Sequence, residues 1–332
     1  MFRVVAYGVR ENEVEYFKKL NKYDYDLQLE SELLTHENIE TAKGADAVLL
    51  RANCEADDIN LAKLNEWGIK YVFTRTVGYN HIDLKAAAKY GMEVARVPAY
   101  SPYAVAELAM TLGMMLFRHT ALATNMTEQG DFSVSTATFS GEVHSSTVGI
   151  VGTGRIGATE AQLYSGMGAK VLGYDPYPSD FAKQYVTFVS QDELLEKSDI
   201  VSVHVPYFPG QNDNLIDKGF LAKMKETAVL VNTARSELAD YAAITSAVKA
   251  GHIAGFASDV LPNEAEVLGH DFKGKITDET TKALVDLYPR VLLTPHIGSY
   301  TSPALTDMIA VSYDNFHQAI ETGKTDNDVK LD

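Results

Sequence analysis

Residues 147–166 constrain the fold more than any other part of the chain. An apolar run, Thr147–Val151, leads into Gly152-Thr153-Gly154-Arg155-Ile156-Gly157, and a helical pattern continues to about Gly166. The next apolar run, Lys170–Tyr174, stops at Asp175, eighteen positions beyond Gly157. A lone G-x-G-x-x-G says little, because glycines punctuate many turns. Between a strand and a helix, with an acid at that distance, it predicts a dinucleotide-binding βαβ unit. Gly152 would close the turn, Gly154 would let a pyrophosphate approach the backbone, and Gly157 would let helix and strand pack closely. The helix start, with Arg155 and Ile156, offers free N–H groups and a partial positive charge to phosphates. Asp175 would accept hydrogen bonds from both adenosine-ribose hydroxyls and repel a 2′-phosphate. Pro176 and Tyr177 follow with no adjacent arginine, so NAD is expected rather than NADP.

The same alternation of short apolar runs and helical patterns covers the rest of the chain, which implies an α/β fold with parallel sheet. Strands are expected at 3–7, Ala47–Leu50, Tyr71–Thr74 and 94–97, with helical patterns at 11–20 and 60–66. Pro98-Ala99-Tyr100-Ser101-Pro102 reads as a linker, with Ser101 as N-cap and Pro102 opening a long helix to Phe117. That helix is apolar on most sides, so burial between domains or subunits is expected. A second series has strands at Thr147–Val151, Lys170–Tyr174, Ile200–Val203, Val229–Asn232, 255–257 and Val291–Leu293, enough for a six-stranded doubly wound sheet. One more helix is expected from Ser302 to about Thr322, followed by a polar, loosely held tail. A chain of 332 residues suits two domains.

The net charge of −16 disfavours nucleic acid and anionic lipid as partners. It also means that any anion site must carry its own cations or N–H donors. The single cysteine, Cys54, excludes an internal disulfide and a zinc-type cysteine cluster, so no metal is expected. The first residues lack the apolar core of a signal peptide, and the most apolar stretch, 104–117, contains Glu107 and is too short to span a bilayer. A cytoplasmic location and no membrane partner are expected.

Four stretches carry further chemistry where second-series strands end: His204-Val205-Pro206, Thr233-Ala234-Arg235, Ser258-Asp259 with Glu264, and Thr294-Pro295-His296. Ligands of open α/β sheets sit beyond the carboxyl ends of the strands. Arg235 supplies a planar cation for the carboxylate and carbonyl of a 2-oxo acid. Reduction makes an alkoxide that needs a proton, and His296 is the candidate acid. Glu264 is the candidate carboxylate that keeps His296 protonated. His204 fits lining the cofactor site and a structural role equally well. Arg51, leaving strand Ala47–Leu50, could pair with a second substrate carboxylate or stand solvated at a strand end.

These motifs, in this order and spacing and together with 97–102, resemble the D-isomer-specific 2-hydroxyacid dehydrogenases over essentially the whole chain. The resemblance implies catalytic Arg235, Glu264 and His296, and cofactor-binding acids at Asp175 and Asp259. It implies that Val77-Gly78 receives the substrate carboxylate on backbone N–H groups; Tyr100 and Tyr300 are counted on the substrate side with Arg51. It implies a Rossmann-type doubly wound NAD domain, residues 101–299, inserted into a flavodoxin-like substrate domain of residues 1–100 plus 300–332. The active site would lie in the cleft, and closure would exclude water. A homodimer is implied, with the helix near 103–117 at the contact. The stretches 51–54, 285–290 and 296–301 look like those of (R)-2-hydroxyglutarate dehydrogenases, which favours 2-oxoglutarate over pyruvate. Two residues depart from the family pattern: Ser236 stands where a glycine is usual, and Tyr79 stands where a small residue is commoner and is expected to narrow the site or touch the nicotinamide side. Some relatives of this fold are NAD-sensing corepressors, so a scaffold protein is the alternative.

Overall fold

A computed structural model of the chain describes residues 1–330. The chain divides into two compact units, Met1–Ser101 with Tyr300–Asp332, and Pro102–Ser299. The first unit contains β1 (Arg3–Ala6), α1 (Val14–Leu20), β2 (Asp26–Leu29), β3 (Ala47–Leu50), α2 (Asp58–Glu66), β4 (Tyr71–Thr74) and α3 (Leu84–Lys89). Its strands form a wholly parallel sheet in the order β2-β1-β3-β4. Every residue of β3 is buried, as a strand covered on both faces requires. The C-terminal helix, Ser302–Thr322, packs in this unit, where Phe316 stacks on Phe73 of β4 at 4.6 Å and Tyr313 donates its hydroxyl to the Phe17 carbonyl of α1.

Two expectations for this unit are corrected. The expected strand at 94–97 is reduced to isolated bridges, at Glu93 with Tyr71 and at Ala95 with Asp328. Part of its hydrogen bonding goes to β4, where Thr74 N donates to Ala95 O, and part to the chain terminus, where Val329 N donates to Val94 O. For the same reason the tail is not loose as far as Lys330. Thr325 and Val329 are buried, and both Thr325 Oγ1 and Asn327 Nδ2 donate to Oδ1 of the buried Asn315. The last two residues of the tail expectation lie outside the described residues. The strand β2 was not expected; its partly exposed residues carry no apolar run.

The second unit contains α4 (Pro102–Phe117), α5 (Thr120–Glu128), β5 (Thr147–Val151), α6 (Arg155–Gly166), β6 (Lys170–Tyr174), β7 (Thr187–Phe188), α7 (Gln191–Lys197), β8 (Ile200–Val203), α8 (Lys218–Leu221), β9 (Val229–Asn232), α9 (Tyr241–Ala250), β10 (Gly255–Ser258), α10 (Glu264–Val267), α11 (Glu279–Val285) and β11 (Val291–Leu293). Its sheet is parallel throughout and seven-stranded, not six-stranded, in the order β11-β10-β9-β8-β5-β6-β7. The extra strand, β7, is two residues long, too short to show a period in sequence. The order reverses at β5, and such a reversal opens a crevice at the strand ends where dinucleotides bind. One side of α4 is buried inside this unit, and Leu108, Met110, Met114, Met115 and Phe117 stay partly exposed. A β-carbon on Gly113 would lie 2.8 Å from Tyr164 Oη on α6 and 3.2 Å from Ile200 on β8, so α4 is wedged between that helix and the sheet. Asp and Ser side chains cap α7, α8, α9 and α11, each accepting from a first-turn N–H.

Ending the chain after Gly323 should expose the Asn315 neighbourhood and leave its buried Oδ1 without Thr325 and Asn327. An unsatisfied buried acceptor costs about 1–3 kcal/mol. The urea midpoint of the first unit should fall accordingly; an unchanged midpoint would show that the tail contributes no stability.

Candidate active site

The turn after β5 is built by steric necessity. A β-carbon on Gly157 would lie 2.1 Å from the Gly152 carbonyl oxygen, and one on Gly152 (φ +89°) would lie 2.8 Å from Val205 N. Around Gly154, in contrast, the space is open, and Gly154 heads α6 without a side-chain cap. Uncapped N–H groups facing open space suit a pyrophosphate. Arg155 is exposed and Ile156 half-buried at the same helix start. Asp175 follows β6 and does more than expected: Oδ2 accepts from Thr153 N at 2.7 Å and Oδ1 from Tyr177 N at 2.8 Å, so the acid also pins the glycine turn. Oδ2 also accepts from Thr153 Oγ1 at 3.2 Å, while Oδ1 keeps a lone pair for a ribose hydroxyl. Thr233 adds a buried Oγ1 with no hydrogen-bond partner among the described residues, a polar atom suited to a bound cofactor. Ala234 N donates to Asn232 Oδ1, and Pro206 is exposed beside half-buried Val205. These residues fit NAD. The His204 ring does not join them: its side chain is 2% exposed and its Nε2 faces Glu160 on α6 at 2.5 Å. Only its backbone lines the glycine turn.

The candidate catalytic set assembles within this unit. Asp259 follows β10, is 2% exposed, and holds the loop after β11 with both oxygens. Oδ1 accepts from Thr294 Oγ1 at 2.6 Å and Ile297 N at 2.8 Å, and Oδ2 from Gly298 N at 2.7 Å. Its partners are thus this chain's own donors, and it fastens that loop. Burial pushes its carboxyl above the usual range, against the pull of those hydrogen bonds. His296 lies in the fastened loop with a left-handed backbone, φ +53°, which costs a non-glycine residue about 1–2 kcal/mol. Its Nδ1 sits 2.9 Å and 3.1 Å from the two carboxylate oxygens of Glu264, the first residue of α10. Glu264 Oε1 also accepts from Leu261 N, which fixes the carboxylate. Burial works against the imidazolium, but the hydrogen bond and charge of Glu264, with the charge of Asp259, outweigh it and the opposing charge of Arg235; the His296 pKa is raised. Arg235 is half-buried, extended (φ −145°), and donates from Nη1 to Ala234 O. Ser236 is not among the residues with positive φ; it opens a short 3₁₀ turn, so the departure from glycine there carries no left-handed strain.

The first unit holds a separate group of functional residues. Arg96 donates to Val77 O at 3.0 Å and Thr76 Oγ1 to Gly78 O at 2.6 Å. With both carbonyls held, the N–H groups of Val77 and Gly78 make no hydrogen bond among the described residues, as a carboxylate receptor requires. Tyr79 packs partly buried against the apolar core and lies under the Arg96 guanidinium at 5.4 Å, so its ring braces this loop. Arg51, at the end of β3, is half-buried beside two arginines that sequence reasoning passed over. Arg75 follows β4, is 3% exposed, and donates to Gly8 O at 2.8 Å and Glu13 Oε2 at 2.9 Å; Arg10 reaches Glu13 Oε1 at 3.2 Å. Burial, Arg10 and Arg75 together push Arg51 down to about 10, and among the described residues its guanidinium makes one hydrogen bond, a long 3.5 Å contact to Gly8 O. Arg10 and Arg75 both hold the Glu13 carboxylate. The Tyr300 ring lies under Arg10 at 4.1 Å and its hydroxyl donates to Asn12, while Tyr100 is half-buried before the second unit begins. The missed arginines could have been found: each lies just beyond a strand, as Arg51 does.

Comparison with known proteins agrees with this arrangement. The family model "D-isomer specific 2-hydroxyacid dehydrogenase, NAD binding domain" matches residues 110–298. A D-lactate dehydrogenase of Lactiplantibacillus plantarum is 35% identical, covering 99% of this chain and 100% of its own length. An aromatic 2-oxoacid reductase of Clostridium sporogenes is 34% identical, covering 95% and 96%. The crystal structure of a Treponema pallidum D-lactate dehydrogenase superposes with a TM-score of 0.90 at 34% identity, covering 99% and 100%. The chain belongs to the D-isomer-specific 2-hydroxyacid dehydrogenases and is an NAD-dependent oxidoreductase. Among the described residues no helix is long and apolar enough to cross a membrane, and no cluster of His, Cys, Asp and Glu could hold a metal.

The raised His296 pKa gives a signed pH prediction. A proton donor must be protonated, so oxo-acid reduction should decline as pH rises through the His296 pKa. Removing the Glu264 charge lowers that pKa, and Glu264→Gln should shift the decline to lower pH in initial-rate profiles. A profile that does not move would break the pairing.

Proposed function

We propose that this enzyme reduces a small 2-oxo acid to its D-2-hydroxy acid, with His296 as proton donor. The observation that carries this is the two-pronged contact of Glu264 on His296 Nδ1, beside Arg235, in a loop fastened by Asp259. NADH, when bound, supplies the hydride that reaches the carbonyl carbon. On the first unit Val77 and Gly78 offer their N–H groups to a carboxylate, and on the second Arg235 offers a guanidinium to a carboxylate and carbonyl. Because Nδ1 faces Glu264, Nε2 presents the proton to the carbonyl oxygen, which stays on its carbon and becomes the hydroxyl of the product. Glu264 then faces a neutral imidazole, ready to be protonated again. In this reading the first unit is the substrate domain, the second is the cofactor domain, and Tyr100 and Tyr300 stand on the substrate side. The enzyme works in the cytoplasm as a homodimer. Exposed apolar Phe132, Val134 and Phe139, with the partly exposed Leu108, Met110, Met114 and Met115 of α4, support self-association. His296→Ala should lower reduction by about 10²- to 10⁴-fold, the usual worth of a general acid. Wild-type turnover retained in stopped-flow NADH oxidation would remove His296 from the mechanism.

The substrate is a pyruvate-type acid or 2-oxoglutarate. Relatives named D-lactate dehydrogenase support the first. The second is supported by Arg51, whose guanidinium, crowded by Arg10 and Arg75, has a single long hydrogen bond among the described residues. A second substrate carboxylate would supply the missing countercharge, giving 2-hydroxyglutarate as product. A charge-assisted bidentate pair contributes about 1.5–3 kcal/mol, or about 10- to 150-fold in kcat/KM. Arg51→Ala should therefore lose that factor on 2-oxoglutarate and little on pyruvate. Equal losses on both would make Arg51 a structural residue, and absence of wild-type turnover of 2-oxoglutarate would leave pyruvate-type acids.

A further inference from the structure

The second unit buries a carboxyl–imidazole pair that the catalytic set does not use. Glu160, on α6, is fully buried, and its Oε2 lies 2.5 Å from Nε2 of His204, the residue that follows β8. Ser202 Oγ is 3.0 Å from the same nitrogen. Glu160 Oε1 is buried with no hydrogen-bond partner among the described residues. Stability alone is a poor reason for such a pair, since apolar residues of the same volume join a helix to a sheet without desolvating charge.

Its place in the fold supplies a better one. The helix that carries Glu160 begins at the glycine turn, with Gly154 at its N-cap. The residue that carries His204 is pressed on that turn: its carbonyl carbon would lie 2.9 Å from a β-carbon on Gly152, and Val205 N would lie 2.8 Å from it. The two segments leave β5 and β8, neighbours on either side of the point where the strand order reverses. A single hydrogen bond therefore ties the phosphate-facing helix to the 204–206 backbone.

We infer that the Glu160–His204 pair positions the dinucleotide site: it fixes α6 relative to the 204–206 segment and thereby sets the affinity for NADH. Neither residue exchanges a proton with substrate, so each acts through the backbone it holds. The inference goes beyond the catalytic reading and does not depend on which oxo acid is reduced.

Glu160→Met removes the hydrogen bond at nearly constant volume. The Kd for NADH, measured by calorimetry without oxo acid, should rise about three- to thirtyfold. The kcat at saturating NADH should stay at the wild-type value, and amide exchange of residues 152–160 in nucleotide-free protein should quicken. Glu160→Gln, which keeps an acceptor for His204, should restore the wild-type Kd. If Glu160→Met does not fold, joining it with His204→Leu removes both members of the pair, at the loss of one Ser202 Oγ contact, and the same rise in Kd is expected. An unchanged Kd in the folded variant, whatever its melting temperature, overturns the inference. So does a loss confined to kcat, which would place the pair in the chemistry.

Discussion

The second unit is organised by a shortage of space at one turn. Between β5 and α6 the backbone of Gly157 nearly touches the Gly152 carbonyl, and Gly152 in turn nearly touches the backbone after β8. Any side chain at these points would push the helix off the sheet. With none, α6 closes on β5, its unpaired N–H groups stand at the reversal of strand order, and the sheet can extend in both directions from β5. The helix α4 and the strands that present Arg235, Asp259 and His296 are placed by that sheet.

Chemistry is then set by a buried carboxylate rather than by regular structure. The His296 backbone is left-handed, an unfavourable state for a residue with a β-carbon. Asp259 offsets that cost by accepting from a hydroxyl and two backbone N–H groups of the same loop. Glu264 adds charge on the Nδ1 side of the imidazole, and Nε2 has no hydrogen-bond partner among the described residues. One acid thus shapes the loop while a second tunes the acid–base group, and the two tasks fall on separate elements, β10 and α10.

Period and punctuation made most of this legible in the sequence. Fully buried parallel strands give unbroken apolar runs, which is why β3, β5, β8 and β9 can be read directly. β2 and β7 escaped because one is half-exposed and the other is two residues long. Residues 94–97 carry the right composition for a strand, but their partners include Asn327 and Val329, more than two hundred positions away, and no local pattern reports that. In the site, Glu264 and His296 followed from residue type and placement. The direction in which His204 turns did not, because its partner Glu160 sits in the middle of a helix where an acid is ordinarily solvated. Asp175 was read for its ligand and not for its grip on Thr153, and the Arg10–Arg75–Glu13 cluster depends on two strand ends and a helix start meeting in space.

The closing of the first unit by its own tail bears on how the chain comes to be folded. The bridge between Ala95 and Asp328 and the stacking of Phe316 on Phe73 join segments synthesised far apart in time. The residues between them, Pro102–Ser299, form a unit from one uninterrupted stretch. Contacts distant in sequence carry a larger loop-closure entropy and form late, and domains fold as units while the chain emerges. On the ribosome the cofactor-binding unit can therefore complete its core first. The earlier-made strands β1 to β4 wait, with one face of their sheet uncovered, until the last helix arrives. That interval, rather than the finished enzyme, is where this sequence is most exposed to aggregation.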